Sequence, residues 1–339
     1  MRYLTLIFCL FICVACDQAL LHDAPANEPI ANLKALWQEV DQKYGLFEVK
    51  NLDWDSIYVA HRMQLDEHST QAETYTVLRD MLALLDDSHV ALVPTDPELP
   101  FFQGGIYGRL GPMEDFNFDL LKESYLPDMK FAEPFFFYGI LEGNVGYIHI
   151  EGFSDLPKFA EEAWDQMLTE LADTKGLVID VRGGYGGEDV LGQYIAGRFA
   201  TTTSVYMKNR IRTVTDLADF SDWIEWTVEP QEGVSYDKPI VVLTHRYTIS
   251  ARETFCLAMK VLPQVTFVGD TTTGAFSNQI NRELPNGWGY SISIGDWRDG
   301  QGVSHEGIGL APDIVVRNQK SDVLAGKDEA LEKAMEVLQ

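Results

Sequence analysis

The chain has 339 residues, which at roughly 150 residues per domain suggests about two domains. Hydrophobic residues make up 46 % and aromatics 12 %, enough for a packed core, so global disorder is excluded. Lys and Arg total 26 against 52 Asp and Glu; the net charge of -26 argues against nucleic-acid binding and against electrostatic docking on anionic lipid.

The first feature in chain order is an apolar run, Leu4 to Ala15 (LTLIFCLFICVA), behind a single Arg2. It is too short to span a bilayer comfortably and has the shape of an export signal, residues 1–15. The alternative is a buried helix opening a domain, but the polar, irregular DQALLHDAPANEP that follows favours the signal. The segment also resembles a bacterial lipoprotein signal, in which Cys16, after Val14 and Ala15, would receive lipid. Three of the four cysteines (9, 13 and 16) lie in or beside this segment. Cys256 is then left alone, which argues against a disulfide framework or a Cys-rich metal site. Residues 16–30 read as a tether.

From Ile30 to Leu85 the apolar spacing predicts helices, with Leu33, Leu36, Trp37 and Val40 in register, then Tyr75, Leu78, Leu82 and Leu85. Residues 31–93 form a small helical domain closing in MLALLDDSHVALV. Residues 94–140 carry six prolines and end in FAEPFFFYG, which predicts a connector or irregular subdomain; the aromatic cluster reads as packing. Residues 141–339 form the core. Strands are predicted at Val145–Ile150, Leu177–Val181, Ile240–Thr244 and Val265–Val268, with helices near 157–174, 189–199 and 251–262. A hairpin is predicted around Pro285-Asn286-Gly287, a short strand at 314–316 and a closing helix at 328–338. This alternation argues for a layered α/β core. Asp216–Gln231 is acidic, carries Trp223 and Trp226, and has no period; a lid and a surface loop both fit.

Four segments could carry chemistry. Ser250, in IVVLTHRYTISARETFCLAMK, stands where a buried strand turns into a helix, so a helix N-terminus lies beside its hydroxyl. It fits a nucleophile elbow without the GxSxG pattern, and equally a helix N-cap with Glu253 completing a capping box. The glycines of VIDVRGGYGGED (178–189) leave backbone N–H groups approachable, as in an oxyanion hole, or simply make a tight turn. No Lys-Ser/Thr follows, which argues against a nucleotide P-loop. Ser88-His89 ends the helical domain, where His89 suits a partly buried base or a structural histidine. Glu306, in SHEGIGLAPDIVV, reads by default as a surface glutamate. None of the seven histidines forms a close metal-binding pair, so no metal is expected.

In their order along the chain, LLDDSHVAL, VGYIHIEGF, VIDVRGGYGGED, IVVLTHRYTISARETF, VGDTTTGA, EGIGLAPD and GKDEALEKAMEVL resemble the tail-specific, or carboxy-terminal processing, protease family. The likeness runs from about Leu33 to Gln339. It implies an α/β core of the spiral type shared with crotonase-like proteins, preceded by a helical domain. One design in the family uses a Ser with a Lys base; here Ala275 stands where that lysine is expected. The other is similar to the core of tricorn protease and uses Ser, His, a second Ser and Glu. By this resemblance Ser250 is the nucleophile, His89 the base, Ser88 the accessory serine and Glu306 the orienting carboxylate. The Ala251 and Gly186 amides would hold the oxyanion, although the family's usual loop has Asn where this chain has Gly184. No clear PDZ pattern is visible in residues 94–140. The resemblance implies a cell-envelope serine endopeptidase with no cofactor, acting on peptide or protein substrates and touching a membrane only through a lipid anchor. A non-proteolytic apolar-ligand binder on the same fold, as in interphotoreceptor retinoid-binding modules, and an acyl hydrolase are the alternatives.

Overall fold

A computed structural model describes residues 27–154, 157–213 and 220–339. The expected signal (1–15), Cys16 and most of the tether lie outside the described residues, as do 214–219 of the acidic stretch.

Four helices open the fold: α1 (Pro29–Lys43), α2 (Phe47–Lys50), α3 (Trp54–Arg62) and α4 (Gln71–Ala83). Their starts follow from capping chemistry. Asp53 accepts the Ser56 amide at 3.0 Å, and Thr70 with Glu73 forms a reciprocal capping box. Their apolar faces meet in one cluster built on Leu33, Leu36, Val40, Leu78 and Leu82.

Residues 94–140 are more ordered than a connector. Strand β1 (Ala91–Val93) leads to β2 (Phe102–Gln103), α5 (Gly105–Arg109) and α6 (Phe118–Leu120). Strands β3 (Lys130–Ala132) and β4 (Phe136–Leu141) then join the main sheet. The aromatic run FFFY enters β4 and packs there: Phe136 stands edge-on to Trp164 with ring centroids 5.4 Å apart.

The core continues with β5 (Val145–Ile150), α7 (Glu161–Glu170), β6 (Leu177–Asp180), α8 (Asp189–Gly197), β7 (Ser204–Ile211), β8 (Ile224–Val228), β9 (Ile240–Thr244) and α9 (Ala251–Lys260). It ends with β10 (Val265–Gly269), β11 (Gln279–Glu283), β12 (Gly289–Ser293), β13 (Gly295–Asp299), β14 (Ile314–Val315), α10 (Lys320–Leu324) and α11 (Glu329–Val337). The main sheet has seven strands in the order β14-β10-β9-β6-β5-β4-β3. β5, β6, β9, β10 and β14 run parallel, and β3 and β4 antiparallel.

Strands β5, β6 and β9 are buried along their whole length because both faces are covered. Alternate residues serve opposite faces. Ile148, Ile179 and Val242 pack with α7, α8 and α9, while Tyr147, Val178 and Val241 pack with Leu331 and Ala334 of α11. A buried ion cluster locks α11 down: Arg182 reaches Asp180 at 2.7 Å and Asp328 at 2.9 Å.

Two smaller sheets flank this layer. Strands β13, β7 and β8 form one; β8 lies in the acidic stretch that showed no period. The other is β11-β12-β1-β2. It carries the expected hairpin away from the main sheet, because Leu284, Trp288, Tyr290 and Ile292 bury against the N-terminal helices. The helical unit is thus completed by a segment about 190 residues downstream of β1, and this union sets the position of the residues that follow α4.

Candidate active site

Strand β9 ends at Thr244, and a turn closed by Thr248 N donating to the His245 carbonyl (2.8 Å) leads to Ser250. Ser250 is the N-cap of α9, yet its backbone has φ +63° and ψ -133°. An ordinary N-cap lies in the extended region, and a non-glycine residue here is strained. The strain is held by many bonds. Ser250 N donates to the Ala275 carbonyl (3.2 Å) and to Glu253 Oε2 (3.3 Å). Glu253 also accepts from Thr272 Oγ1 (2.5 Å), Gly274 N (2.7 Å) and Ala275 N (2.8 Å). Burial pushes the Glu253 carboxyl up to about 7, against these hydrogen bonds. Ala275, which stands where the Ser-Lys design would carry its lysine, is buried, with its carbonyl taking the Ser250 amide.

The glycine loop approaches from the end of β6. Tyr185 N donates to the Glu151 carbonyl (2.9 Å), and Phe153 N to the Gly186 carbonyl (3.1 Å), anchoring the loop to the exit of β5. A methyl group on Gly186 would stand 2.8 Å from Ser250 Cβ and 3.1 Å from its Oγ, so only glycine fits. The same position lies 3.5 Å from Ala251 N, the first amide of α9, which has no intrahelical acceptor. Gly184 has a separate reason. A side chain there would meet Arg252 Nη2 and the Glu151 carbonyl, each at 2.0 Å. The buried Arg252 guanidinium, with no hydrogen bond on any of its nitrogens, fills the space beside Gly184.

His89 arrives from the helical unit. It is buried, and it lines a cavity of about 490 Å³ together with Ser250, Gly187, Asp189, Trp226, Ser277 and Gln279. Burial holds its imidazole below the usual histidine range, opposed by the charge of Asp87 and by the Ser277 backbone. It is therefore neutral, the form a base requires, near pH 7. Ser88 is buried beside it, and the hydrogen bond its Oγ makes is as acceptor from Tyr107 N of α5 (3.1 Å).

Glu306, whose default reading was a surface residue, is buried. It accepts from Phe276 N (2.7 Å) and Ser277 N (3.4 Å), fixing the backbone at 276–277, whose Ser277 shares the cavity with Ser250 and His89. Burial and the nearby Asp87 charge hold its carboxyl well above the usual range. One oxygen each of Asp87 and Glu306 and one ring nitrogen of His89 lie within 4.8 Å of one another. These three residues could by geometry hold a cation, a possibility that histidine spacing alone did not suggest.

Ser250 and His89 thus line one cavity, Gly186 lies against Ser250 and the Ala251 amide, and Glu306 lies beside His89, which Ser88 precedes in the chain. Residues that sequence reasoning passed over are Asp87 at the base, Arg252 under the loop, and Asp189 and Trp226 on the cavity wall. Asp87 left a faint signal, since an aspartate two residues before a histidine can cap its amide; Arg252 and Trp226 left none.

Residues 144–316 match the model of peptidase family S41, and residues 25–83 match the tricorn protease C1 domain. The chain belongs to peptidase family S41. Tricorn protease of Thermoplasma volcanium is 28 % identical over 200 residues, 58 % of this chain and 17 % of that protein. A carboxy-terminal-processing protease of Bartonella bacilliformis is 26 % identical over 204 residues, 56 % of this chain and 43 % of that one. The chain therefore spans less than half the length of these two relatives. A solved structure from Parabacteroides merdae is 28 % identical, with a TM-score of 0.81 over 92 % of this chain and 97 % of that one. The fold is the α/β core of this family preceded by its helical domain.

Proposed function

We propose that the protein is a serine endopeptidase in which Ser250 is the nucleophile and His89 the general base. The observation that carries this reading is that the strained serine at the head of α9 and the histidine from the helical unit line one cavity. Ser250 Oγ attacks the peptide carbonyl as its proton passes to His89, and the proton then goes to the leaving amine. Water hydrolyses the acyl-enzyme by the same route in reverse. The Ala251 and Gly186 amides hold the oxyanion, a donor pair in which each N–H is worth about 2.7–4 kcal/mol. Glu306 fixes the 276–277 backbone under the base, and Ser88 ties the base-bearing loop to α5.

The cavity favours a peptide over an apolar ligand. Glu188, Asp189, Asn278 and Gln279 line it, a polar wall suited to backbone and polar side chains. We place the protein in the cell envelope, held by a lipid on Cys16; no helix among the described residues is long and apolar enough to cross a membrane. The test is cleavage of an unfolded protein substrate together with fluorophosphonate labelling. Native protein should do both and Ser250→Ala neither; labelling with ester turnover but no peptide cleavage points to an acyl hydrolase instead.

A further inference from the structure

We propose that Asp87, rather than Ser88 or Glu306, is the positioning residue that orients the His89 imidazole, an inference that rests on the peptidase reading above. Asp87 is buried just after α4, and its Oδ1 accepts the His89 amide at 2.8 Å. Its Oδ2 is also buried and has no hydrogen-bond partner. His89 Nδ1 is buried and unpartnered in the same way. A carboxylate oxygen of Asp87, one of Glu306 and a ring nitrogen of His89 all lie within 4.8 Å of one another, so proximity alone does not choose between the two acids.

The rival groups are engaged elsewhere. Both oxygens of Glu306 take backbone amides, from Phe276 and Ser277, and Ser88 Oγ takes the Tyr107 amide. A buried acceptor and a buried ring nitrogen left unpaired two residues apart are costly, and catalytic hydrogen bonds often tighten only when substrate binds. A small closure joins Asp87 Oδ2 to His89 Nδ1–H. That bond sets the tautomer in which Nδ1 carries the proton and Nε2 is left bare, free of the Ser277 backbone, to take the Ser250 proton.

When the Ser250 proton arrives on Nε2, Asp87 steadies the imidazolium, and the proton then leaves with the amine. Tyr44 of α1, whose hydroxyl is likewise buried and unpartnered, lies near enough to Asp87 that burial and the Asp87 charge together hold its phenol well above the usual range. Other charged groups nearby are Glu306, on which Glu253 of α9 and Lys50 of α2 act, and Asp86, which with Asp87 and Glu306 acts on Tyr44. Among them Asp87 is the charge that opposes the effect of burial on His89.

The discriminating variant is Asp87→Asn. Asparagine keeps an oxygen to accept the His89 amide, so a residue that only shapes the turn is replaced at no cost. The inference expects kcat to fall about 10²–10⁴-fold with little change in KM. It also expects the acid limb of kcat/KM to move to lower pH, because removing the anion makes His89 harder to protonate. Tyr44→Phe should move both readouts in the same direction and by less. A loss smaller than about tenfold, or a loss without the pH shift, overturns the proposal. Should Asp87→Asn fail to fold, nitrogen-15 NMR of the native protein decides: an Nδ1–H tautomer of neutral His89 upholds it and an Nε2–H tautomer overturns it. If native protein is inert, or Ser250→Ala still cleaves, the peptidase reading itself fails, an outcome distinct from an active enzyme indifferent to Asp87.

Discussion

The proposed nucleophile, Ser250, and the proposed base, His89, line one cavity, but their walls are built differently. Ser250 belongs to a single continuous stretch, β9–turn–α9, with a covered parallel sheet behind it and Glu253 bonded to four donors beside it. His89 depends on parts far apart in the chain: the end of α4, the β11–β12 hairpin and the turn around Glu306. Its surroundings also keep unpaired buried atoms on Asp87, His89 and Tyr44. The nucleophile wall is preorganised before substrate arrives. The base wall holds its last hydrogen bond in reserve, which is where closure can act.

The largest effect should come from removing the hydroxyl on the rigid wall. Ser250→Ala should lower kcat by about 10⁶-fold with the fold intact, measured by peptide cleavage and thermal melting. Gly186→Ala comes next. Its methyl would press on Ser250 Cβ at 2.8 Å and displace an oxyanion donor, so kcat should fall about 10²–10³-fold while KM changes little. A Gly186→Ala enzyme with native kcat would show that the loop is more pliant than the comparison holds. On the base wall, the acid limb of kcat/KM in the native enzyme should lie below the ordinary histidine value of about 6.5, because burial favours the neutral ring. An acid limb above that value would mean that His89 is stabilised as the cation.

The same contrast explains what was legible from residues alone. Strands β5, β6 and β9 were visible because a strand covered on both faces reads as a largely apolar run, and β10, half-buried at its start, kept enough of that pattern to be read as well. Strand β13, GDWRD, has no such pattern; it is a strand because β7 pairs with it. The β11–β12 turn was readable from Pro-Asn-Gly, but not its destination, since Leu284 and Trp288 fit any apolar surface and only the folded chain gives them the α1–α4 core. At the site, Ser250 and the glycine loop belong to local strand–turn–helix units with local signals. Glu306 read as a surface residue because its burial comes from segments distant in sequence. Asp87 read as one acid in an acidic turn for the same reason.

The smallest effect concerns the price of rigidity at the nucleophile wall. Glu253 is fully buried, and its carboxyl holds a proton up to about pH 7 in the fold. In the unfolded chain it ionises near 4.3. Between these values the folded state binds more protons than the unfolded state, so this group's contribution to stability declines as pH rises from about 4 to 7 and is flat beyond. Glu306, also shifted upward, adds a slope of the same sign. Glu253→Gln cannot titrate. It should lose some stability at pH 5, where the protonated acid is at its best, and show a shallower decline toward pH 8, a difference on the order of 1–3 kcal/mol across the range. Denaturant melts at several pH values would measure it. Parallel curves for the two proteins would mean that the nucleophile is held without a buried titrating group, and that the two walls differ less than their hydrogen bonds suggest.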